Sequence, residues 1–332
     1  MQEILYLVIP CYNEQEVLPE TARRLTQKLG GMVAAGTISP KSRVLLVDDG
    51  SRDATWQVIQ ELHRQNPLFS GLKLAHNRGH QNALLAGLMS AKELCDIAIS
   101  MDADLQDDVD AIDRFVAEYQ AGCDIVYGVR SSRASDTAFK RNTAVGYYRF
   151  LRWMGVEIVE NHADYRLMSR RALEALGQYR EVNLFLRGIV PLIGFRTSVV
   201  TYERHERFAG ESKYPLKKML AFAIDGITSF SVKPIRLITI LGVLIFGVSV
   251  LCLGWLLLTK LFGYTVDGWT TLMGSIWALG GIQLLCLGIL GEYIGKIYQE
   301  TKRRPRFLVE EFLQSGDTPN IEEDAACSKE DQ

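Results

Sequence analysis

Two carboxylates set two residues apart, Asp102 and Asp104, followed at the same spacing by the amide of Gln106, carry the sharpest chemical signal in the sequence (MDADLQDD). They stand just after a short apolar run that reads as a buried strand, and oxygens so placed can gather around one hard cation. Magnesium or manganese bridging a diphosphate is the natural use. An EF-hand loop would require Gly at its sixth position and Glu at its twelfth, where Asp107 and Asp113 stand, so that reading fails. No Gly-x-x-x-x-Gly-Lys-Ser/Thr loop exists and no Gly-x-Gly-x-x-Gly follows the first strand, so a diphosphate must be held by metal and side chains.

Three more polar clusters recur at similar places: PCYNE at 10–14, DDGS at 48–51 and HNRGH at 76–80. Taken singly they are ordinary turn or cap chemistry, Asp49-Gly50 as a turn and Ser51 or Asp53 as a helix cap. Their common position makes them a site. Each follows an apolar run that reads as a strand, at 4–9, 43–47, 72–75 and 97–101, with a fifth strand at 125–127. Helical patterns at 14–29, 55–65, 81–94 and 110–120 separate them. Strands alternating with helices imply an α/β fold, a largely parallel sheet with helices on both faces. Such sheets bind ligands at the carboxyl ends of their strands.

The carboxyl part of the chain is different. Apolar runs at about 237–259 and 271–291 each approach the ~20 residues that cross a hydrocarbon core. Lys233 and Arg236 precede the first, Lys296, Lys302, Arg303, Arg304 and Arg306 follow the second, and Lys260 and Asp267 are the charges between them. The positive-inside rule then places both outer flanks in the cytoplasm. Between the soluble part and the first run, residues 214–230 mix Lys217 and Lys218 with apolar neighbours, the pattern of an interfacial helix. The expected organisation is a catalytic domain over 1–213, a juxtamembrane helix over 214–232, a transmembrane hairpin over 233–295, and a basic segment with an acidic tail over 296–332. That tail, polar from about residue 314, reads as disordered.

Among 332 residues the net charge is −2, which excludes a strongly basic nucleic-acid binder. Six scattered cysteines form no Cys-x-x-Cys pair, so neither a zinc site nor a disulfide framework is indicated, and a reducing compartment fits. The apolar run at 4–9 is too short for the core of a signal peptide and lacks a basic flank.

The motifs VIPCYNE, VDDGS, HNRGHQNALLAGL, MDADLQDD, VYGVR, ADYRLMSRRAL, RFAGESKYPLKKML and GEYIGKIYQETKRRP resemble, in that order, the polyisoprenyl-phosphate glycosyltransferases of glycosyltransferase family 2. The resemblance covers nearly the whole chain apart from the acidic tail. It implies a GT-A-type nucleotide-sugar-binding domain followed by a two-helix transmembrane hairpin, with catalytic domain and both termini cytoplasmic. It implies Pro10, Tyr12 and Glu14 as the floor of the nucleoside site, Asp49 as the carboxylate for base or ribose, and Asp102 with Ala103 beside ribose and metal. Asp104 and Gln106, with Asp102, would ligate Mg2+ or Mn2+. Arg130, Arg141, Arg207 and Lys213 are similar to the family's phosphate-binding cations, and Asp164 would touch the sugar or an arginine.

The implied reaction is inverting hexosyl transfer from a nucleotide-sugar, UDP-glucose from the bacterial-type motifs, to undecaprenyl phosphate, making a lipid-linked sugar for cell-envelope glycan modification. UDP-N-acetylglucosamine or another sugar stays open. Membrane lipids, a separate flippase for the product and a homo-oligomer, a tetramer by resemblance, are the implied partners. A lipid phosphate is already largely ionised at neutral pH and needs no strong base. A processive polysaccharide synthase is the nearest alternative, but Arg149 stands where the glutamine of a Gln-x-x-Arg-Trp motif should precede Arg152-Trp153, and two helices cannot enclose a polymer. A non-catalytic membrane scaffold would not need Asp49, Asp102, Asp104 and Arg207 intact.

Overall fold

The computed structural model describes residues 2–130, 162–182, 185–203, 231, 233–262 and 268–314. Largely apolar runs form the central strands β1 (Leu5–Cys11), β2 (Arg43–Asp48) and β4 (Ile97–Ser100), and the more mixed FSGLKL forms β3 (Phe69–Leu74); all four run parallel in the order β4-β1-β2-β3. The first three read as largely apolar segments because helices cover both faces. On one face lie α1 (Leu18–Ala34), α2 (Thr55–Gln65) and α4 (Ala111–Gln120), through Leu18, Leu25, Ile59 and Phe115. On the other lie α3 (His80–Ala91), α5 (Arg170–Leu176) and α6 (Leu186–Leu192), through Leu84, Leu88, Leu173 and Ile189.

The sheet is larger and less parallel than the sequence pattern suggests. It has eight strands in the order β7-β5-β6-β4-β1-β2-β3-β8. β5 (Ile125–Arg130) and β7 (Thr197–Tyr202) run parallel to each other, while β6 (His162–Ser169) is wedged antiparallel between β4 and β5. The chain therefore leaves β1 in one direction toward β2 and β3, and β4 lies on its other side. That reversal opens a crevice at the carboxyl ends of β1 and β4, where open α/β sheets bind ligands.

Local differences from the sequence reading have identifiable causes. α1 begins at Leu18 instead of 14, because residues 13–15 are held in the crevice loop: the Glu14 N–H donates to Thr55 Oγ1 at 2.9 Å. Pro19 then opens the helix, where its missing N–H costs nothing. β3 starts at Phe69, three residues before the apolar pattern, and includes Gly71, where a Cβ would come within 2.7 Å of Ile59 on α2. Glycine here admits the close approach of helix to strand.

Two long helices follow, α7 (Lys233–Leu261) and α8 (Trp269–Lys302). Their outward faces carry large exposed apolar side chains, among them Leu244, Leu251, Trp255, Leu284 and Leu287. Among the described residues one stretch, Ala278–Lys302, is long and apolar enough to cross a membrane, and none of it is buried. This lies toward the carboxyl end of the 271–291 run read from the sequence. The base of the hairpin is tied by Tyr293, whose hydroxyl donates to the Ser231 carbonyl at 2.6 Å.

After α8 the chain returns to the central sheet. β8 (Val309–Leu313) pairs antiparallel with β3, and Lys73 meets Glu310 at 3.1 Å. The basic segment expected after the hairpin thus contains the edge strand of the sheet. The juxtamembrane stretch 214–230 and the acidic tail 315–332 lie outside the described residues.

Candidate active site

The crevice is built from the four polar clusters. After β1, Tyr12 stands exposed at 41%, and Asn13 adopts a left-handed conformation, φ 55°. Asn13 exchanges bonds with the DDGS turn: its N–H donates to Ser51 Oγ at 3.0 Å and its side-chain oxygen accepts from the Arg52 N–H at 2.9 Å. Pro10 is buried within β1 and Glu14 half-buried.

After β2, Asp49 is buried, and its two oxygens accept the N–H groups of Arg78 at 2.7 Å and Gly79 at 2.9 Å. Burial raises its pKa and those two bonds oppose the rise. Gly50, at φ 64°, lies so near the 76–79 loop that a Cβ would stand 2.6 Å from the Asn77 nitrogen. Only glycine combines that backbone with that contact. Asp49 therefore clamps the loop leading into α3, whatever else it touches.

After β4, exposure alternates along the chain: Asp102, Asp104 and Gln106 are half-exposed, while Ala103, Leu105 and Asp107 are buried between them. All three candidate ligands thus share the open side of one loop. Asp104 Oδ1 accepts the Gln106 N–H at 3.2 Å, and the buried Ala103 carbonyl accepts Thr21 Oγ1 at 3.0 Å. Leu105, at φ 57°, turns the loop. From beneath, Tyr202 donates to Asp107 Oδ1 at 2.6 Å and Tyr165 to the Asp108 carbonyl at 2.9 Å, with the rings of Phe115, Tyr165 and Tyr202 packed edge to face.

Two residues absent from the sequence-based site join the crevice. His80, at the start of α3, lies 3.5 Å from Asp102 and 3.7 Å from Asp164. Arg187, on α6, meets Asp164 through Nε at 3.2 Å and Nη2 at 3.0 Å, and Asp164 also holds the buried Arg166 at 2.6 Å. Burial would raise the Asp164 pKa, but the guanidiniums of Arg187 and Arg166 hold it well below the usual carboxylate range. A carboxylate so held is a poor base. Asp102 goes the other way: burial, with Asp107, Asp164 and Asp104 nearby, raises its pKa to about 6 against the pull of His80. His80 belongs to the HNRGH cluster and was within reach of the sequence. Arg187 is a lone charge in an apolar segment, which is a signal of its own.

Arg130 ends β5 at the same edge of the sheet. Arg141, Arg207 and Lys213 lie outside the described residues. The donor set nonetheless fits a divalent cation. Asp102 and Asp104 supply hard oxygens on one open face. Among the described residues no three His, Cys, Asp or Glu side chains gather into a group that could hold a metal by themselves.

Comparison with known proteins bears on the whole chain. The family described as Glycosyl transferase family 2 matches residues 6–177, and the one described as GtrB C-terminal hairpin matches residues 233–297. The uncharacterized glycosyltransferase YkoT of Bacillus subtilis (strain 168) is 53% identical, over 93% of this chain and 92% of its own. The bactoprenol glucosyl transferase of Shigella phage SfX is 40% identical, over 91% of this chain and 97% of its own. Among solved structures, mannosyl-3-phosphoglycerate synthase from Rubrobacter xylanophilus superposes with a TM-score of 0.45 at 14% identity, covering 67% of this chain and 71% of that one.

Proposed function

The chain belongs to glycosyltransferase family 2 and is a glycosyltransferase with a GT-A-like domain, and from that premise we propose that it transfers glucose from UDP-glucose to undecaprenyl phosphate at the cytoplasmic membrane face. The observation that carries the reading is the placement of Asp102, Asp104 and Gln106 on one open side of the loop after β4, in a chain whose carboxyl part is a GtrB hairpin. Bactoprenol glucosyl transferases about 40% identical over nine-tenths of the chain point to the lipid phosphate and the sugar.

In this reading Tyr12 lies against the base, and Asp102 faces the ribose. Asp104, Gln106 and Asp102 would hold Mg2+ or Mn2+, which would supply Lewis-acid stabilisation to the leaving nucleoside diphosphate. Arg130, Arg141, Arg207 and Lys213 bring two anions together, a role that suits forked guanidiniums. The acceptor phosphate, with a second pKa of about 6, arrives ionised, and attacks the anomeric carbon with inversion. Asp164 transfers no proton, and its ties to Arg166 and Arg187 favour holding Arg187 at the crevice rim. The catalytic domain and both flanks of the hairpin are cytoplasmic, with the product passed to a separate flippase.

The test is direct. Membranes containing the chain are incubated with radiolabelled UDP-glucose or UDP-N-acetylglucosamine and undecaprenyl phosphate, and the lipid fraction is analysed. Glucose label in undecaprenyl phosphoglucose is the expected result. N-acetylglucosamine label alone would replace the sugar, and no lipid label from any nucleotide-sugar would overturn the reaction class.

A further inference from the structure

A second polar concavity lies outside the strand-end crevice. Where the carboxyl end of α8 meets the loop after α5, a cavity of about 910 Å³ is lined by buried Leu85 and Leu176, by the carboxylates of Glu181 and Glu300, and by four arginines: Arg180 from the loop, and Arg303, Arg304 and Arg306 following α8. The corner is built from both sides. Arg306 donates to the Tyr179 carbonyl at 2.6 Å, and the Val182 N–H donates to Glu300 at 2.9 Å. Arg303, at φ 48°, is the left-handed cap that ends α8, its N–H donating to the Glu300 carbonyl at 3.2 Å.

The charges divide unequally. Half-buried Arg306 is attended by Glu181 and Glu300. Arg180, Arg303 and Arg304 are exposed and make no side-chain hydrogen bond or ion pair with a described residue. A cytoplasmic flank of a spanning helix would account for Arg303 and Arg304. It does not account for Arg180, which comes from the catalytic fold and converges on the same cavity.

We infer that this cavity binds the headgroup of an anionic phospholipid of the surrounding bilayer, its phosphodiester held by Arg180, Arg303 and Arg304 where α8 leaves the membrane. Guanidiniums are suited to phosphate oxygens, and basic pockets at the cytoplasmic ends of membrane helices are where such headgroups lodge. The apolar floor receives the glycerol end of the lipid. The inference rests on α8 spanning the membrane and is independent of the sugar and acceptor proposed above.

The experiment uses the full chain in detergent micelles, titrated with phosphatidylglycerol or phosphatidylcholine, with bound lipid read by native mass spectrometry. The wild-type chain should retain phosphatidylglycerol in preference to phosphatidylcholine. Arg180→Gln, and separately the pair Arg303→Gln with Arg304→Gln, should each weaken that retention by about tenfold or more. Arg180→Lys should recover part of it. Because Arg180 is exposed, its replacement should leave the melting temperature unchanged and keep the comparison valid. Equal retention of the two lipids, or undiminished retention by both variants, overturns the proposal. Displacement by millimolar inorganic phosphate identifies a soluble-anion site and overturns it too. Extraction of the chain from carbonate-washed membranes would instead remove the premise about α8, a failure distinguishable from the lipid result.

Discussion

The hydroxyl of Tyr202 donates to Oδ1 of Asp107 at 2.6 Å, and through that bond the outermost strand of the catalytic sheet holds down the loop that presents Asp102, Asp104 and Gln106. Asp107 is 2% exposed, so a lost partner is not replaced by water. Tyr202→Phe should destabilise the soluble domain by about 1–3 kcal/mol, the cost of leaving a buried acceptor short of its donor. Denaturant unfolding measures that cost. Transfer per folded molecule should fall as well, since the loop loses a support, and an unchanged rate would detach Tyr202 from the site.

Asp104→Asn keeps the size of the side chain and removes its charge. Transfer should drop by about a hundredfold or more, with the melting temperature held, because an amide is a much weaker ligand for a hard cation. EDTA should reproduce the loss in the wild-type chain and added Mg2+ or Mn2+ reverse it. Full transfer by the variant in metal-free buffer would remove the cation from the reaction.

Asp164 gives a pH signature. Its folded pKa lies below the unfolded value of about 3.9, so its contribution to stability is complete above about pH 4 and is lost as the pH falls toward the folded value. In Asp164→Asn the decline in stability below about pH 4 should be shallower. At pH 7 the variant should be weaker by about 3–5 kcal/mol, because Arg166, 2% exposed, is left as a buried charge without its partner. An acid limb identical to that of the wild type would show that Asp164 does not hold these arginines in solution.

Orientation can be read by labelling. With native cysteines replaced and activity retained, a cysteine at Thr265 should react with an impermeant maleimide in intact wall-free cells, and one at Ser212 or Ser315 should not. The reverse pattern would place the Asp102-Asp104 loop away from a cytosolic donor and end the assignment to the cytoplasmic face.

What the sequence makes legible follows from physical pattern. α2 (Thr55–Gln65) matches its periodicity to the residue, and β1 and β4 announce themselves as continuous apolar runs. The alternation that turns Asp102, Asp104 and Gln106 outward is local and readable. β6 is not: Asp164 and Arg166 interrupt any apolar pattern, and they are tolerated in the sheet because each neutralises the other, with Arg187 completing the pairing from 23 positions away. The same holds for Tyr202 and Asp107, 95 positions apart, whose bond only the folded sheet creates. β8 falls in what reads as the basic segment after the hairpin, because one face of an edge strand is solvated and its VEEFL pattern is short.

The return of β8 to β3 gives the soluble domain two points of attachment to the hairpin, one on the chain entering α7 and one on the chain leaving α8. A domain on a single tether would swivel freely over the bilayer. With two, that freedom is restricted, because the chain leaving α8 is held by β8 on the edge of the sheet. In the membrane setting proposed above, the second attachment would narrow the range of directions from which a lipid-borne acceptor reaches the crevice. Severing the chain just after α8 would do more than shorten a tail: it would lay bare the backbone edge of β3 and turn a docked enzyme into a swinging one with an open strand.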